Sequence, residues 1–342
     1  MRTQLPDIGA PLRAVHGMLA SVHLPINFAQ PRRHLPDTSV GVRGRLSYRS
    51  ATMVAMELAA WLDGLGHGGG TTPEEVGELR AHVEGSFAGI VGAVEVAPCA
   101  DEPLRMGKAL LADLGRCERL ALARVAAPRP PLSTAMLRGI ALDLCVIQEL
   151  HAGPVLDPLV DLSEVLAAGG RREEHEALQQ LPAEEASALT GGAASAARAW
   201  RDLDPAWVPR TQVGATAVFL DGAVVVSGRT DVELGGLDTG RPGVVVEVKS
   251  GEPSASHLAE TYLYALLCAL RDGAAPAWAA CWYPGRAPSA TPVSPGLLEA
   301  AAGRLLDGVV RWVELVAGRA PREAPGGWCT WCPDSAVCPS VA

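Results

Sequence analysis

The chain has 342 residues, 48% of them hydrophobic and 20% charged, enough apolar sequence for one large domain or two smaller ones and too little charge for bulk disorder. Its formal net charge of −9 excludes a protein coated in basic surface for duplex binding, although a local basic groove is compatible with it. No apolar run is long enough to span a bilayer. The first twenty residues, interrupted by Pro6, Asp7 and Pro11, lack the apolar core and cleavage site of a secretory leader, so we expect a cytoplasmic protein with no membrane partner.

Residues 1–47 carry Pro25, Pro31, Pro36 and the basic residues Arg32, Arg33, Arg43 and Arg45, and read as an irregular surface arm whose arginines could touch a phosphate backbone. Met53, Met56, Leu58 and Leu62 suggest a helix over 47–65. A second helix starts at Thr72, where Thr-Pro-Glu-Glu supplies an N-cap, a proline at N1 and early acids, and runs towards 96. A third is expected over about 102–125 and a fourth over about 133–150. The segment 153–158 breaks the pattern, 167–170 marks a loop, and helical sequence returns over about 173–200. After Pro209 the character changes. Strands are expected over 213–220 and 223–234, joined at Asp221-Gly222, a hairpin turn signal. A third strand covers 243–249. A helix capped by Ser254 or Ser256 runs to about 271, a strand covers 277–283, and a helix covers 297–316. We find no internal repeat.

Two features carry chemistry. Basic residues are almost all arginine, and lysine occurs only at Lys108 and Lys249. The second of these stands in Glu247-Val248-Lys249, where the charges interrupt the apolar run Val244-Val245-Val246. Strand alternation puts Glu247 and Lys249 on one face, and burying both without purpose is expensive. Asp231, on the strand read as a neighbour, can converge with Glu247 on a magnesium or manganese ion. The backbone carbonyl of Val248 could complete its shell, and Lys249 could orient a water or stabilise developing charge. Phosphodiester hydrolysis needs these parts.

The second feature is the tail, Cys329-x2-Cys332-x5-Cys338-Pro339. Three thiolates so close together usually mean metal. A fourth ligand must come from Cys99, Cys117, Cys145, Cys268, Cys281 or a histidine, and sulfur ligation suits iron–sulfur or zinc alike. Trp328 and Trp331 read as packing around that centre, with base stacking as the alternative.

Gly228-Arg-Thr-Asp231, Glu247-Val-Lys249-Ser-Gly251 and Glu260-x-x-x-Tyr264 resemble the motifs of RecB-like nucleases in the PD-(D/E)XK superfamily. The resemblance implies an α/β, restriction-endonuclease-like core, a mixed central sheet flanked by helices, and metal-dependent DNA cleavage. Glu260 stands where that family usually has glutamine, and an acid there is expected to repel phosphate. Tyr264 is expected to orient the lysine or the strand. The family also places a histidine or acid on an upstream helix. Asp143, after Gly139, is similar in position, with Glu149 and His151 as competitors. The tail is similar to that of the AddB nuclease domain and the CRISPR-adaptation exonucleases. That likeness implies a [4Fe–4S] cluster held by Cys117, Cys329, Cys332 and Cys338, with zinc as the alternative.

The expected organisation is an N-terminal arm and mainly helical region over 1–100 and a nuclease domain over 101–342. The latter would carry a helical insert at about 153–208 and the cysteine tail at 328–342. The expected activity is a Mg2+- or Mn2+-dependent deoxyribonuclease, an exonuclease on single strands or DNA ends, in repair, phage defence or CRISPR adaptation. Its expected partners are DNA and a helicase or other subunits of such a complex. The alternative is a non-catalytic DNA-binding or scaffolding subunit. The chain has no Walker A loop, no Gly-x-Ser-x-Gly elbow and no His-Glu-x-x-His, so it is not read as a motor, a serine hydrolase or a zinc protease.

Overall fold

The computed structural model describes residues 58–341 apart from 67, 94–97, 237 and 287. The arm at 1–47 and the start of the helix expected at 47–65 lie outside the described residues; the chain is helical over 58–63. Helix α1 (Pro73–Gly92) starts where the sequence signals it. Thr72 and Glu75 form a reciprocal capping box, and Val76, Leu79, Val83 and Phe87 turn one buried face inward.

The single helix expected at 102–125 is instead three elements. Strand β1 (Leu104–Gly107) leads into α2 (Lys108–Arg116), and α3 (Glu118–Ala126) follows after a break at Cys117, whose φ of −164° and ψ of 126° are fully extended. Tertiary pairing overrides the local helical pattern here. Leu104 to Gly107 lie parallel against Val224 to Ser227, and Glu118 is drawn to the chain's end, where Arg319 and the Arg322 N–H meet its carboxylate.

Helix α4 (Thr134–His151) is capped by Ser133. The helical sequence after residue 153 forms α5 (Pro158–Ala168), α6 (Arg172–Gln180) and α7 (Ala183–Ala197). Pro182 parts the last two, because it lacks the N–H that a continuous helix needs. Strands β2 (Arg210–Phe219), β3 (Val224–Gly236) and β4 (Arg241–Val248) form an antiparallel meander. The first turn is made at Asp221, which is left-handed at φ 51°. Helix α8 (Ala255–Asp272) then crosses to β5 (Trp278–Trp282), which lies parallel to β4. A short strand the sequence did not announce, β6 (Ser289–Pro292), pairs antiparallel with β5 before α9 (Pro295–Val316).

The result is an α/β protein with a mixed six-stranded sheet, ordered β1-β3-β4-β5-β6 with β2 also paired to β3. Alternation along β4 feeds two cores. Val245 joins α1, α8 and α9 on one face, while Val244, Val246 and Val248 join α4, α7, Trp200 and Trp282 on the other. No described helix is long and apolar enough to cross a membrane.

Candidate active site

Because β4 alternates, Glu247 shares the face of Val245 and points towards α8, and Lys249 follows two residues on. The Lys249 N–H donates to the Trp282 carbonyl at 3.0 Å, so the chain stays extended beside β5 as far as the lysine. From α8, Glu260 and Tyr264 stand one turn apart on the same helix face. The four side chains meet. Lys249 Nζ lies 2.7 Å from Glu247 Oε1 and 2.8 Å from Glu260 Oε2. Glu247 is 2% exposed, and its second oxygen, Oε2, is buried without a hydrogen-bond partner among the described residues.

Asp231 comes from β3. The β2–β3 ladder passes from Val213↔Thr230 to Thr211↔Val232, leaving out the pair between them, and Gln212 is left-handed there at φ 51°. At this irregularity Asp231 turns across to the next strand and accepts the Val248 N–H at 2.8 Å. Three residues earlier, Gly228 lies under the Tyr264 ring. A Cβ at that position would stand 2.6 Å from Tyr264 Cε1, so the glycine is required by close approach rather than by a turn.

Asp143, half-buried on α4, belongs to the same electrostatic cluster. Burial and then the neighbouring Glu247 push its carboxyl up to about 7. Burial, Glu247 and Asp143 together push Asp231 well above the carboxylate range, against the Val248 N–H. The competitors are committed elsewhere. Glu149 takes Arg201 on both oxygens, at 2.8 and 2.9 Å, along with the Val155 N–H. His151 meets Thr211 at 3.1 Å.

One member was missed. Lys108, the first residue of α2, brings its Nζ to 2.8 Å from Glu247 Oε1 and 3.5 Å from Glu260 Oε2, and 4.9 Å from the Tyr264 ring centroid. Both lysines of the chain therefore serve one pair of carboxylates, and their rarity was the signal. Burial pulls the Lys108 ammonium down, but Glu247, Tyr264 and Glu260 together outweigh it and hold the group above the usual lysine range. Burial likewise pushes Glu260 up, and Lys249 and Lys108 reverse this, so Glu260 stays below the usual value. The acid expected to repel phosphate is thus neutralised by two ammonium groups. Burial and Glu247 raise the Tyr264 phenol to about 12, keeping it protonated.

These acids suit a hard divalent cation. Three carboxylates press on one another, and the partnerless oxygen of Glu247 is the kind of buried acceptor that calls for a ligand. As placed, no group of three or more His, Cys, Asp or Glu among the described residues already surrounds an ion position. Beside the cluster, a cleft of about 350 Å3 runs between α4 and α7 and is lined by Arg138, Leu142, Gly192, Ala196, Ser250 and Pro284.

The cysteine tail closes on the break between α2 and α3. Cys117, Cys329, Cys332 and Cys338 line one small cavity together with Trp328, and all four thiols are free. The Ala324 N–H donates to Cys117 Sγ at 3.5 Å and the Gly326 N–H to Cys329 Sγ at 3.4 Å. The docking is held by Arg119 on Glu323 at 2.7 Å and by Arg319 on Glu118. Burial and the neighbouring Cys117 and Cys329 contribute to raising the Cys332 thiol. Other cysteines lie elsewhere: Cys99 is exposed, Cys145 is in the α4–α7 core, and Cys268 and Cys281 meet Glu233 and Thr261. Trp328 packs over Gly326 and donates to the Ala324 carbonyl, and Trp331 lies beneath Arg124.

No family model and no curated protein matches this sequence. Among solved structures, the chain aligns with the protein described as "Crystal structure of SSO0001" over 78% of its own length and 97% of that chain, at 13% identity and a TM-score of 0.31. A likeness this slight carries no argument.

Proposed function

We propose that this chain is a Mg2+- or Mn2+-dependent deoxyribonuclease with a restriction-endonuclease-like core of the RecB-like kind. The observation that carries the reading is Glu247. It is a buried acid with one oxygen crowded by lysines and the other without a partner among the described residues, beside two further acids whose protons are held abnormally tightly. The order α4-β2-β3-β4-α8-β5, with an antiparallel meander and then a parallel strand, supports the fold assignment.

In this reading Asp143, Asp231, Glu247 and the Val248 carbonyl hold the cation. The bound ion would supply neutralising charge at the phosphate and lower the pKa of a water. Lys249, fixed from two sides by Glu247 and Glu260, orients that water and meets developing negative charge. Tyr264, seated on Gly228, sets the height of the helix that carries Glu260. The cleft beside Ser250 gives an extended strand room to approach, and Arg138 at its rim can meet a phosphate. The family likeness implies a preference for a single strand or a frayed end, and hence exonuclease action, with a repair or defence complex supplying the motor. The test is cleavage of labelled single- and double-stranded DNA, with open and blocked ends, in Mg2+ and Mn2+. Cleavage is expected to require the metal and to be lost in Lys249→Ala; a Lys249→Ala protein cutting at the wild-type rate overturns this mechanism. DNA binding without cleavage under any of these conditions would instead mark a non-catalytic subunit.

The four cysteines are proposed to hold a [4Fe–4S] cluster that fastens the chain's end to the start of α3. The sulfur donor set and the main-chain N–H groups aimed at two sulfurs support it. Anaerobic purification should yield a brown protein with broad visible absorption. A colourless, zinc-loaded protein defeats the iron–sulfur assignment.

A further inference from the structure

Lysine is rare in this chain, yet a second one reaches the candidate site from a separate part of the fold. Lys108 lies 139 positions before Glu247 and is delivered by β1, which pairs with the first half of β3. Nothing in the proposed chemistry requires it, since Lys249 already stands beside Glu247. What Lys108 adds is charge. Glu247 and Glu260 face Lys108 and Lys249 within 3.5 Å, two negative charges against two positive. Without Lys108, Glu260 would compete with Glu247 for the one remaining ammonium, and the surplus negative charge would oppose an incoming phosphate.

We propose that Lys108 is a positioning residue whose charge balances the second of the two acids that hold Lys249, so that the Glu247–Glu260 pair does not repel substrate phosphate. The inference rests on the reading of the site as a metal-dependent phosphodiesterase. It makes a prediction of opposite signs. Removing the Lys108 charge makes the site more negative, so a divalent cation binds more tightly and an anionic strand more weakly. Removing the Glu260 charge as well restores both.

The experiment compares wild type, Lys108→Met, Lys108→Arg, Glu260→Gln and the Lys108→Met/Glu260→Gln double variant. Mn2+ affinity is measured by calorimetry without DNA, and affinity for a fluorescent single-stranded oligonucleotide by anisotropy in chelator. A unit charge in a partly buried site, acting on a ligand beyond direct contact, shifts such affinities by on the order of tenfold. Lys108→Met is therefore expected to bind Mn2+ about tenfold more tightly and the oligonucleotide about tenfold more weakly. The double variant and Lys108→Arg should lie within about threefold of wild type on both measures. A double variant as altered as Lys108→Met, or two affinities moving in the same direction, overturns the proposal, because a merely structural lysine would act that way. Should Lys108→Met not fold, Glu260→Gln reads the same balance from the other side, with weaker Mn2+ and tighter oligonucleotide binding; no change there overturns it. Charge compensation in a protein that binds Mn2+ but never cleaves DNA defeats the nuclease reading and leaves this one standing. A wild type that binds no Mn2+ overturns both.

Discussion

Two buried glutamates on adjacent strands show how differently an acid can be kept inside this protein. Glu233 on β3 is 4% exposed and Glu247 on β4 is 2% exposed. Glu233 is saturated: Arg271 meets both of its oxygens at 3.0 Å, Arg210 approaches at 2.8 Å, Thr230 donates at 2.9 Å and Cys268 at 3.5 Å. Glu247 has two ammonium groups on one oxygen and none on the other. Burial alone therefore does not mark function. An acid with every lone pair filled ties elements together, whereas one left half-filled beside other acids is ready for a ligand.

The largest effect is expected on the saturated side. Arg271→Ala strips Glu233 of its bidentate partner while Arg210 and Thr230 remain, and losing hydrogen bonds to a buried charge costs about 1.5–3 kcal/mol. Urea denaturation should show that loss, while the folded fraction keeps its Mn2+ affinity. Glu247→Gln should do the reverse. It removes the charge that presses on Asp231 and Asp143 but also the acid that holds Lys108 and Lys249; the two effects oppose each other, so stability should fall by less than in Arg271→Ala. Mn2+ affinity and DNA cleavage, in contrast, should fall by about 100-fold or more, the scale of losing one preorganised electrostatic group. If Glu247→Gln proves as destabilising as Arg271→Ala, the distinction between the two acids fails.

A smaller effect is expected at Gly228. An added methyl there meets the Tyr264 ring at 2.6 Å, and overpacking of this kind costs about 1–3 kcal/mol. Gly228→Ala should lower the denaturation midpoint and, by lifting Tyr264 and α8, reduce cleavage. Unchanged stability would mean that α8 shifts freely, and that Glu260 is not held in place by packing.

The saturated and the half-filled acid also differ in how far each could be read from sequence. Glu247 and Lys249 were legible because a two-residue alternation interrupted a strongly apolar strand, a local signal. Tyr264 was legible through the family likeness, as the last residue of Glu260-x-x-x-Tyr264. Lys108 was not, because its place depends on a parallel pairing between segments more than 100 residues apart, and nothing local distinguishes Leu104–Gly107 from the start of a helix. The same pairing explains why one helix was expected where β1, α2 and α3 stand. Cys117 was legible as a ligand candidate through the family likeness alone; its extended backbone, which turns the thiol towards the tail, depends on Glu118 meeting Arg319. The strand Ser289–Pro292 contains alanine and ends on proline, so propensity gave no hint of it.

The effect that bears most directly on the half-filled acid is a dependence on pH. Burial and Glu247 raise the Asp143 carboxyl from its ordinary 3.8 to about 7 in the folded chain, and Asp231 shifts in the same direction. A carboxyl whose folded value lies above its unfolded one keeps its proton in the native state after the unfolded chain has lost it. The folded state then binds more protons between those values, and stability falls as pH rises through that window. The metal-free protein should accordingly lose stability from about pH 4 to about pH 7 through Asp143, with Asp231 adding to the loss in the same direction. Asp143→Asn should make the profile shallower, leaving the part that Asp231 contributes. Mn2+ should act against the same protons: its affinity should rise with pH up to about 7 and then level off, and its stabilising effect should be greatest on the alkaline side. A thermal-shift series with and without Mn2+ measures both slopes. A flat metal-free profile would mean that neither burial nor Glu247 raises Asp143 and Asp231, and the third acid of the proposed metal site would then have to be sought outside α4.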